Sequence, residues 1–318
     1  MKQFDKPILI IVYNRPGLTR QVLQAIKKVK PNRLYVCADG PKPDNDIDLA
    51  NCTAVRNIFE SIPWPCEVKR LFHPRNLGVA LSPRKGLSWF FQEEEEGIIL
   101  EDDCVPGLDF FPFCEQLLEK YRNNSKIFTI NGGNLGYKNE SGDSYTFSRF
   151  MNMTGWATWR RTAQSIDYDL KGWQQTKRPY LSLYKMLRND NTDIDINWWR
   201  YWKYRFDRTI AHNNVRWWDY HWIFNQLYNK QYSIVPAMNL VTNIGFGDQA
   251  SNTFEPTNPA GNIPIQKLQF PLSHPIKLKA DRVYEENFLK KIWCYHHRIS
   301  PIMWLRIRVK SFLSSKLK

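Results

Sequence analysis

No stretch of the 318 residues approaches the roughly 18 consecutive apolar residues that a membrane span needs. The N-terminus lacks a signal-peptide pattern: the six-residue apolar run Ile8 to Tyr13, behind Lys2, Asp5 and Lys6, is too short for a secretory core. A cytoplasmic protein is therefore expected. The six cysteines (37, 52, 66, 104, 114 and 294) include no pair at zinc-binding spacing and lie mostly in apolar runs, which predicts reduced, buried thiols. The histidines form no HExxH pattern, and no nucleophilic triad is legible. A P-loop is missing, and no GxGxxG opens the first helix, which argues against a kinase-type NTPase and a dinucleotide dehydrogenase. There is no internal repeat and no low-complexity linker. Acid is scarce: 31 Asp+Glu stand against 45 Lys+Arg, a formal net charge of +14.

What is present is ordinary for a folded chain, with 42% hydrophobic residues, so disorder is excluded. Aromatics reach 14% with 13 Trp, enough to suggest flat faces for sugar rings or bases, though each single Trp is more often a packing residue. The basic excess concentrates from Phe288 to Lys318, where eight Lys/Arg and no acid alternate with residues such as Trp293, Trp304 and Phe312. Such a tail suits an anionic membrane surface, with a helix docked on the body as the plainer reading.

Strand and helix patterns alternate through the first 130 or so residues. Apolar runs at Pro7–Tyr13, Arg33–Ala38, Cys66–Phe72, Gly97–Leu100 and Lys126–Asn131 predict strands. Helical spacing at 18–29, 46–61, 77–91 and 109–121 fills the gaps. Repeated βα units of this size imply an α/β fold with a mostly parallel sheet flanked by helices. The expected organisation is a nucleotide-sugar-binding half at 1–132, an aromatic-rich, irregular half at 133–287 packed on the same sheet, and the basic tail at 288–318.

The sharpest chemical signal is Glu101-Asp102-Asp103 at the end of a buried strand. Three adjacent carboxylates repel one another and lose hydration, a cost that Mg²⁺ or Mn²⁺ held jointly with substrate phosphates would remove. Glu93 to Glu96, at a helix end, reads instead as a solvated face. Asp39-Gly40 ends another strand; the carboxylate suits a base N–H or a ribose hydroxyl, and glycine permits close backbone approach. Arg15, Arg84 and Lys85 are candidates for phosphate. Asp219, inside Trp217-Trp218-Asp219-Tyr220-His221-Trp222, sits among aromatics that should raise its basicity toward that of a general base, with helix capping as the alternative.

Taken in order, Tyr13-Asn14-Arg15-Pro16, Asp39-Gly40, Asn76-Leu77-Gly78, Glu101-Asp102-Asp103, Thr154-Gly155-Trp156 and Trp218-Asp219 resemble the GT-A-fold glycosyltransferases. More narrowly, the set is similar to the N-acetylglucosaminyltransferase I family and its bacterial relatives. The resemblance implies an inverting hexosyltransferase that moves a sugar from a nucleotide-diphosphate donor, UDP-linked with UDP-GlcNAc a candidate, to a hydroxyl of a saccharide or lipid-linked saccharide. It implies Asp103 on the metal, Asp102 on the ribose, Glu101 on the sugar, Asp39 on the uracil, Arg15 near the nucleotide, and Asp219 as base. Asn76 and Trp156 join the donor-side set through their motifs. Tyr220-His221 departs from the eukaryotic pattern, so acceptor recognition does not carry over. Residues 240–253 resemble a loop of the bacterial relatives that suggests no role. A sugar-phosphate nucleotidyltransferase would need a Gly-rich, basic signature after the first strand, and Asn14-Arg15-Pro16-Gly17 is a poor one. A nucleic-acid-binding protein would explain the positive charge but not three acids on a strand end, so no nucleic-acid partner is expected.

Overall fold

The computed structural model describes residues 3–187, 196–212, 217–246, 258–289 and 291. The first half runs β1 (Ile8–Val12), α1 (Pro16–Lys27), β2 (Arg33–Ala38), α2 (Asp46–Asn57), β3 (Glu67–Phe72), α3 (Gly78–Glu93), β4 (Glu96–Glu101), β5 (Cys104–Pro106), α4 (Phe110–Tyr121) and β6 (Ile127–Asn131). The second half runs β7 (Tyr145–Ser148), β8 (Trp156–Trp159), α5 (Arg160–Gln164), α6 (Lys171–Gln174), α7 (Pro179–Leu187), α8 (Ile196–Ala211), α9 (Asp219–Tyr228), β9 (Tyr232–Pro236), β10 (Val241–Asn243) and α10 (Arg282–Phe288). The expected strands and helices of the first half are all present, with ends that differ by a few residues.

The described residues form an eight-stranded sheet in the order β3-β2-β1-β4-β8-β6-β9-β7, beside a two-stranded ribbon of β10 and β5. Only β7 and β8 run against the other strands, so the sheet is mostly parallel. The second half therefore supplies strands to the sheet, and β8 lies between β4 and β6.

Alternation along each strand splits the core into two layers. Ile8, Ile10 and Val12 join Val22, Ile26, Val55 and Leu117 beneath α1, α2 and α4. Leu9 and Ile11 face the other way, toward Leu87 and Phe90 of α3 and Trp202 and Trp222 of α8 and α9. Every residue of β1 is buried, as a strand covered on both faces requires. Truncating one of these to alanine should cost about 2–5 kcal/mol.

The tryptophans serve mainly this core. Of the nine whose side chains are described, only Trp89 and Trp217 are even partly exposed, so packing, the expectation for each single Trp, prevails among them over free stacking faces. The four glutamates depart from expectation. Glu93 and Glu95 are exposed, but Glu94 and Glu96 are buried, because extended backbone turns alternate side chains inward. Glu94 accepts from the Tyr35 hydroxyl at 2.7 Å, and Glu96 accepts from Lys6 at 2.7 Å and Arg122 at 2.9 Å. Phe288 ends α10 and stacks on Phe150 in the core, and the Lys291 ammonium donates to the Leu135 carbonyl at 2.6 Å, so both residues, at the start of the expected tail, are held on the body. Residue 290 and residues 292–318, most of the basic tail, lie outside the described residues.

Candidate active site

The strand order reverses between β1 and β4, and in an open α/β sheet the crevice beyond the strand ends at such a point is where ligands sit. Arg15, just past β1, and Glu101-Asp102-Asp103, at the end of β4, meet there. The Arg15 guanidinium makes a forked pair with Asp102 and donates to Asp103 Oδ2 at 3.0 Å. Its side chain is only 15% exposed. The chain thus carries part of the countercharge that its three acids need. Burial works against the guanidinium's charge, but Asp102 and Asp103 outweigh it and keep Arg15 protonated. Burial lifts Asp102 to about 6 even with Arg15 opposing. Glu101 is lifted to about 8, by burial first, then by the charges of Asp103, Asp102 and, more weakly, Asp219.

Asp39 does something other than expected. Its carboxylate accepts from the backbone N–H groups of Gly40 (2.8 Å), Leu77 (2.8 Å) and Gly78 (3.0 Å) and from the Asn76 amide at 3.2 Å. A carboxylate has about four acceptor positions. All are filled, which leaves none for a base N–H. Asp39 instead ties the end of β2 to the start of α3. Gly40 is needed for the same junction: a Cβ there would collide with the Arg75 peptide, so the close approach is by the chain itself. Asp48 was not foreseen, and it holds the opposite wall. Buried on α2, it accepts from Tyr13 Oη at 2.6 Å, from the Asn14 amide and from Lys42 N at 2.7 Å. Burial opposes its ionisation, yet these donors keep its carboxyl below the usual range.

Between these walls lies a cavity of about 310 Å³, lined among others by Arg15, Lys42, Asn76, Ser82, Glu101 and Asp102. A second cavity of about 190 Å³ is lined by Glu101, Asn152, Thr154, Asp219, Ile223 and Asn243. Glu101 belongs to both. Asp219 begins α9, half-buried, and no side-chain cap closes that helix start. Burial raises its carboxyl to about 6 against the pull of the backbone N–H groups of Tyr220 and Asp219 and the Arg205 charge. Other candidates are elsewhere. Trp156 is fully buried against Trp222, Arg84 lies 4.2 Å over the Tyr168 ring, and neither of these nor the exposed Lys85 lines either cavity. His221 is buried, with Nδ1 3.3 Å from the Trp218 carbonyl.

Residues 240–246 have a physical role after all, whereas 247–253 lie outside the described residues. Strand β10 pairs with β5, and the segment after it crosses Asp103. Ile244 N donates to the Asp103 carbonyl at 2.9 Å, and Asn243 Nδ2 to its carboxylate at 3.4 Å. A Cβ at Gly245 would fall inside the contact shell of Asp103 Oδ2.

Among the described residues, no three His, Cys, Asp or Glu side chains are grouped to hold a metal ion. Those residues therefore build no self-sufficient metal cage. The hard-oxygen carboxylate of Asp103 does suit a cation that takes its remaining ligands from a diphosphate and water. No described helix is long and apolar enough to cross a membrane.

The chain matches no protein-family model. Among solved structures it is similar to mouse xyloside xylosyltransferase 1 in its apo form, with a TM-score of 0.33 at 9% identity over 71% of this chain and 82% of that one. It is also similar to HddC from Yersinia pseudotuberculosis, with a TM-score of 0.32 at 9% identity over 54% of this chain and 87% of that one. A UDP-glucose pyrophosphorylase complexed with UDP-glucose aligns at a TM-score of 0.25 and 11% identity over 46% and 63%. Likenesses this distant carry no argument about activity.

Proposed function

We propose that the chain is an inverting glycosyltransferase that moves a sugar from a nucleotide-diphosphate donor to a hydroxyl of a saccharide or lipid-linked saccharide. One observation carries the reading: Glu101 stands where a cavity bearing the cations Arg15 and Lys42 adjoins a second one bearing Asp219. Two adjoining sites, one suited to a diphosphate and one holding a base, are what a two-substrate displacement needs.

The donor lies in the larger cavity with its diphosphate toward Arg15 and its sugar at Glu101. The acceptor enters the smaller cavity. Asp219 takes the proton of the acceptor hydroxyl as that oxygen forms its bond to the anomeric carbon. The bond from that carbon to the diphosphate oxygen breaks, and the electron pair leaves with the diphosphate, whose charge Arg15 offsets. A carboxyl at about 6 is mostly ionised at neutral pH and basic enough to share the proton in the transition state. Asp103 is the side chain that would share Mn²⁺ or Mg²⁺ with the diphosphate; such an ion supplies further charge neutralisation. The basic tail would place the enzyme on an anionic membrane surface, where a lipid-linked acceptor lies.

Calorimetry with UDP, with and without Mn²⁺, on the wild type and Asp103→Asn tests the donor side. The reading expects UDP to bind the wild type and the metal-dependent part of the affinity to vanish in the variant. A wild type that binds no nucleoside diphosphate, with or without metal, overturns it.

A further inference from the structure

The two oxygens of the Asp103 carboxylate are held from different sides. Oδ2 accepts from the Arg15 guanidinium at 3.0 Å. Oδ1 accepts from Asn243 Nδ2 and from the Cys104 thiol, each at 3.4 Å. Cys104 is the next residue in the chain, whereas Asn243 arrives through the ribbon. It pairs with Cys104 across β10 and β5, and its carbonyl accepts from Asn262 N at 2.8 Å. The orientation of its amide is forced. The Gly245 N–H can only donate, and it meets Asn243 Oδ1 at 2.7 Å; an ionised carboxylate can only accept, so Asp103 faces the Nδ2 side. Asn243 and Cys104 also line the smaller cavity, beside Glu101 and Asp219.

We propose that Asn243 is a positioning residue for the cation that Asp103 would share, an inference that rests on the nucleotide-sugar reading above. Its amide, fixed by Gly245, holds Oδ1 so that the carboxylate is presented to the ion in one orientation. A neutral donor suits this place. With Arg15 already on Oδ2, a second cationic side chain would compete with the ion for Asp103, and another carboxylate would add repulsion to three adjacent acids. Hydrogen bonds that orient a ligating carboxylate typically carry about 10- to 100-fold in metal affinity.

Two substitutions separate this role from a structural one. Asn243→Ala removes the amide; Asn243→Asp keeps an oxygen for the Gly245 N–H but turns a carboxylate toward Asp103. Each is titrated by calorimetry with Mn²⁺ alone, UDP alone and UDP with Mn²⁺, and melted with and without Mn²⁺. In Asn243→Ala the gain in UDP affinity that Mn²⁺ brings should fall about tenfold, while UDP alone binds as it does to the wild type. Asn243→Asp sets two carboxylates face to face, a pair that a cation relieves. It should bind Mn²⁺ alone roughly tenfold more tightly than the wild type, and Mn²⁺ should raise its melting temperature by more. An undiminished Mn²⁺ gain in Asn243→Ala, or an equal loss of UDP affinity with and without the metal, overturns the assignment. So does an Asn243→Asp protein whose Mn²⁺ affinity stays within about twofold of the wild type. Wild-type UDP binding that Mn²⁺ does not strengthen overturns this inference and leaves the nucleotide-sugar reading standing. A wild type that binds no UDP under either condition overturns both.

Discussion

Glu101 and Asp219 line the same cavity, and the charge of Asp219 is one of the causes that hold the Glu101 carboxyl up at about 8. One ends a central strand and the other starts a helix of the second half, so the fold alone makes them neighbours. Their environments differ: Glu101 is crowded by the charges of Asp102 and Asp103, whereas the charge near Asp219 is the opposing one of Arg205.

Asp219→Asn should cut kcat by about 10² to 10⁴ while donor affinity changes little, because the base acts on the acceptor side. Steady-state kinetics beside calorimetry will show it, and near-wild-type kcat would place the base elsewhere. His221 is a poor substitute, since it is buried and lines neither cavity.

The same side chain sets a pH dependence of stability. Its folded pKa of about 6 lies above the ordinary value of 3.8, so between those values the folded state holds the proton more tightly than the unfolded one. Its contribution is full below the ordinary value and is lost as pH rises through about 6. Asp219→Asn, a neutral mimic, should therefore raise Tm at pH 7.5 and leave it nearly unchanged at pH 4. An equal change at both pH values would contradict the shift.

Arg15→Met removes the cation from two buried carboxylates. The variant should lose about 3–5 kcal/mol at neutral pH, less in acid where Asp102, lifted to about 6, takes up a proton, and should no longer bind the donor. Urea unfolding at pH 5 and pH 7.5 would measure this. Arg15→Lys keeps the charge but not the fork, and should fall between.

Gly245→Ala should push the segment after β10 off Asp103. A loss of about 1–3 kcal/mol in stability is expected, with weaker donor binding. Unfolding curves and UDP titrations together check it; an unaltered affinity would show that this segment does not shape the donor site.

Removing the chain beyond Lys291 keeps the packed Phe288 and the Lys291 contact but deletes most of the basic tail. At about 1 kcal/mol per cation near an anionic surface, the six Lys/Arg lost should release the protein from phosphatidylserine vesicles without lowering its Tm. Undiminished co-sedimentation would assign the binding to another surface.

The sequence by itself determined the α/β rhythm, because hydrophobic periodicity is local: β1 reads as a strand buried on both faces whatever surrounds it. It also marked Glu101-Asp102-Asp103, since three adjacent acids ending an apolar run repel one another and need a countercharge wherever they sit. Tertiary structure decided what those groups meet. That Arg15 pairs with Asp102 and Asp103, that Asp39 spends its acceptors on α3, and that Asn243 and Gly245 cover Asp103 all depend on which strand ends lie side by side. Alternation within a short run was equally invisible: four consecutive glutamates look alike until extended backbone turns Glu94 toward Tyr35 and Glu96 toward Lys6 and Arg122. Hydrogen bonds and ion pairs are short-range, so they are fixed by positions in space, and residues far apart along the chain acquire those positions only when the sheet closes on its helices.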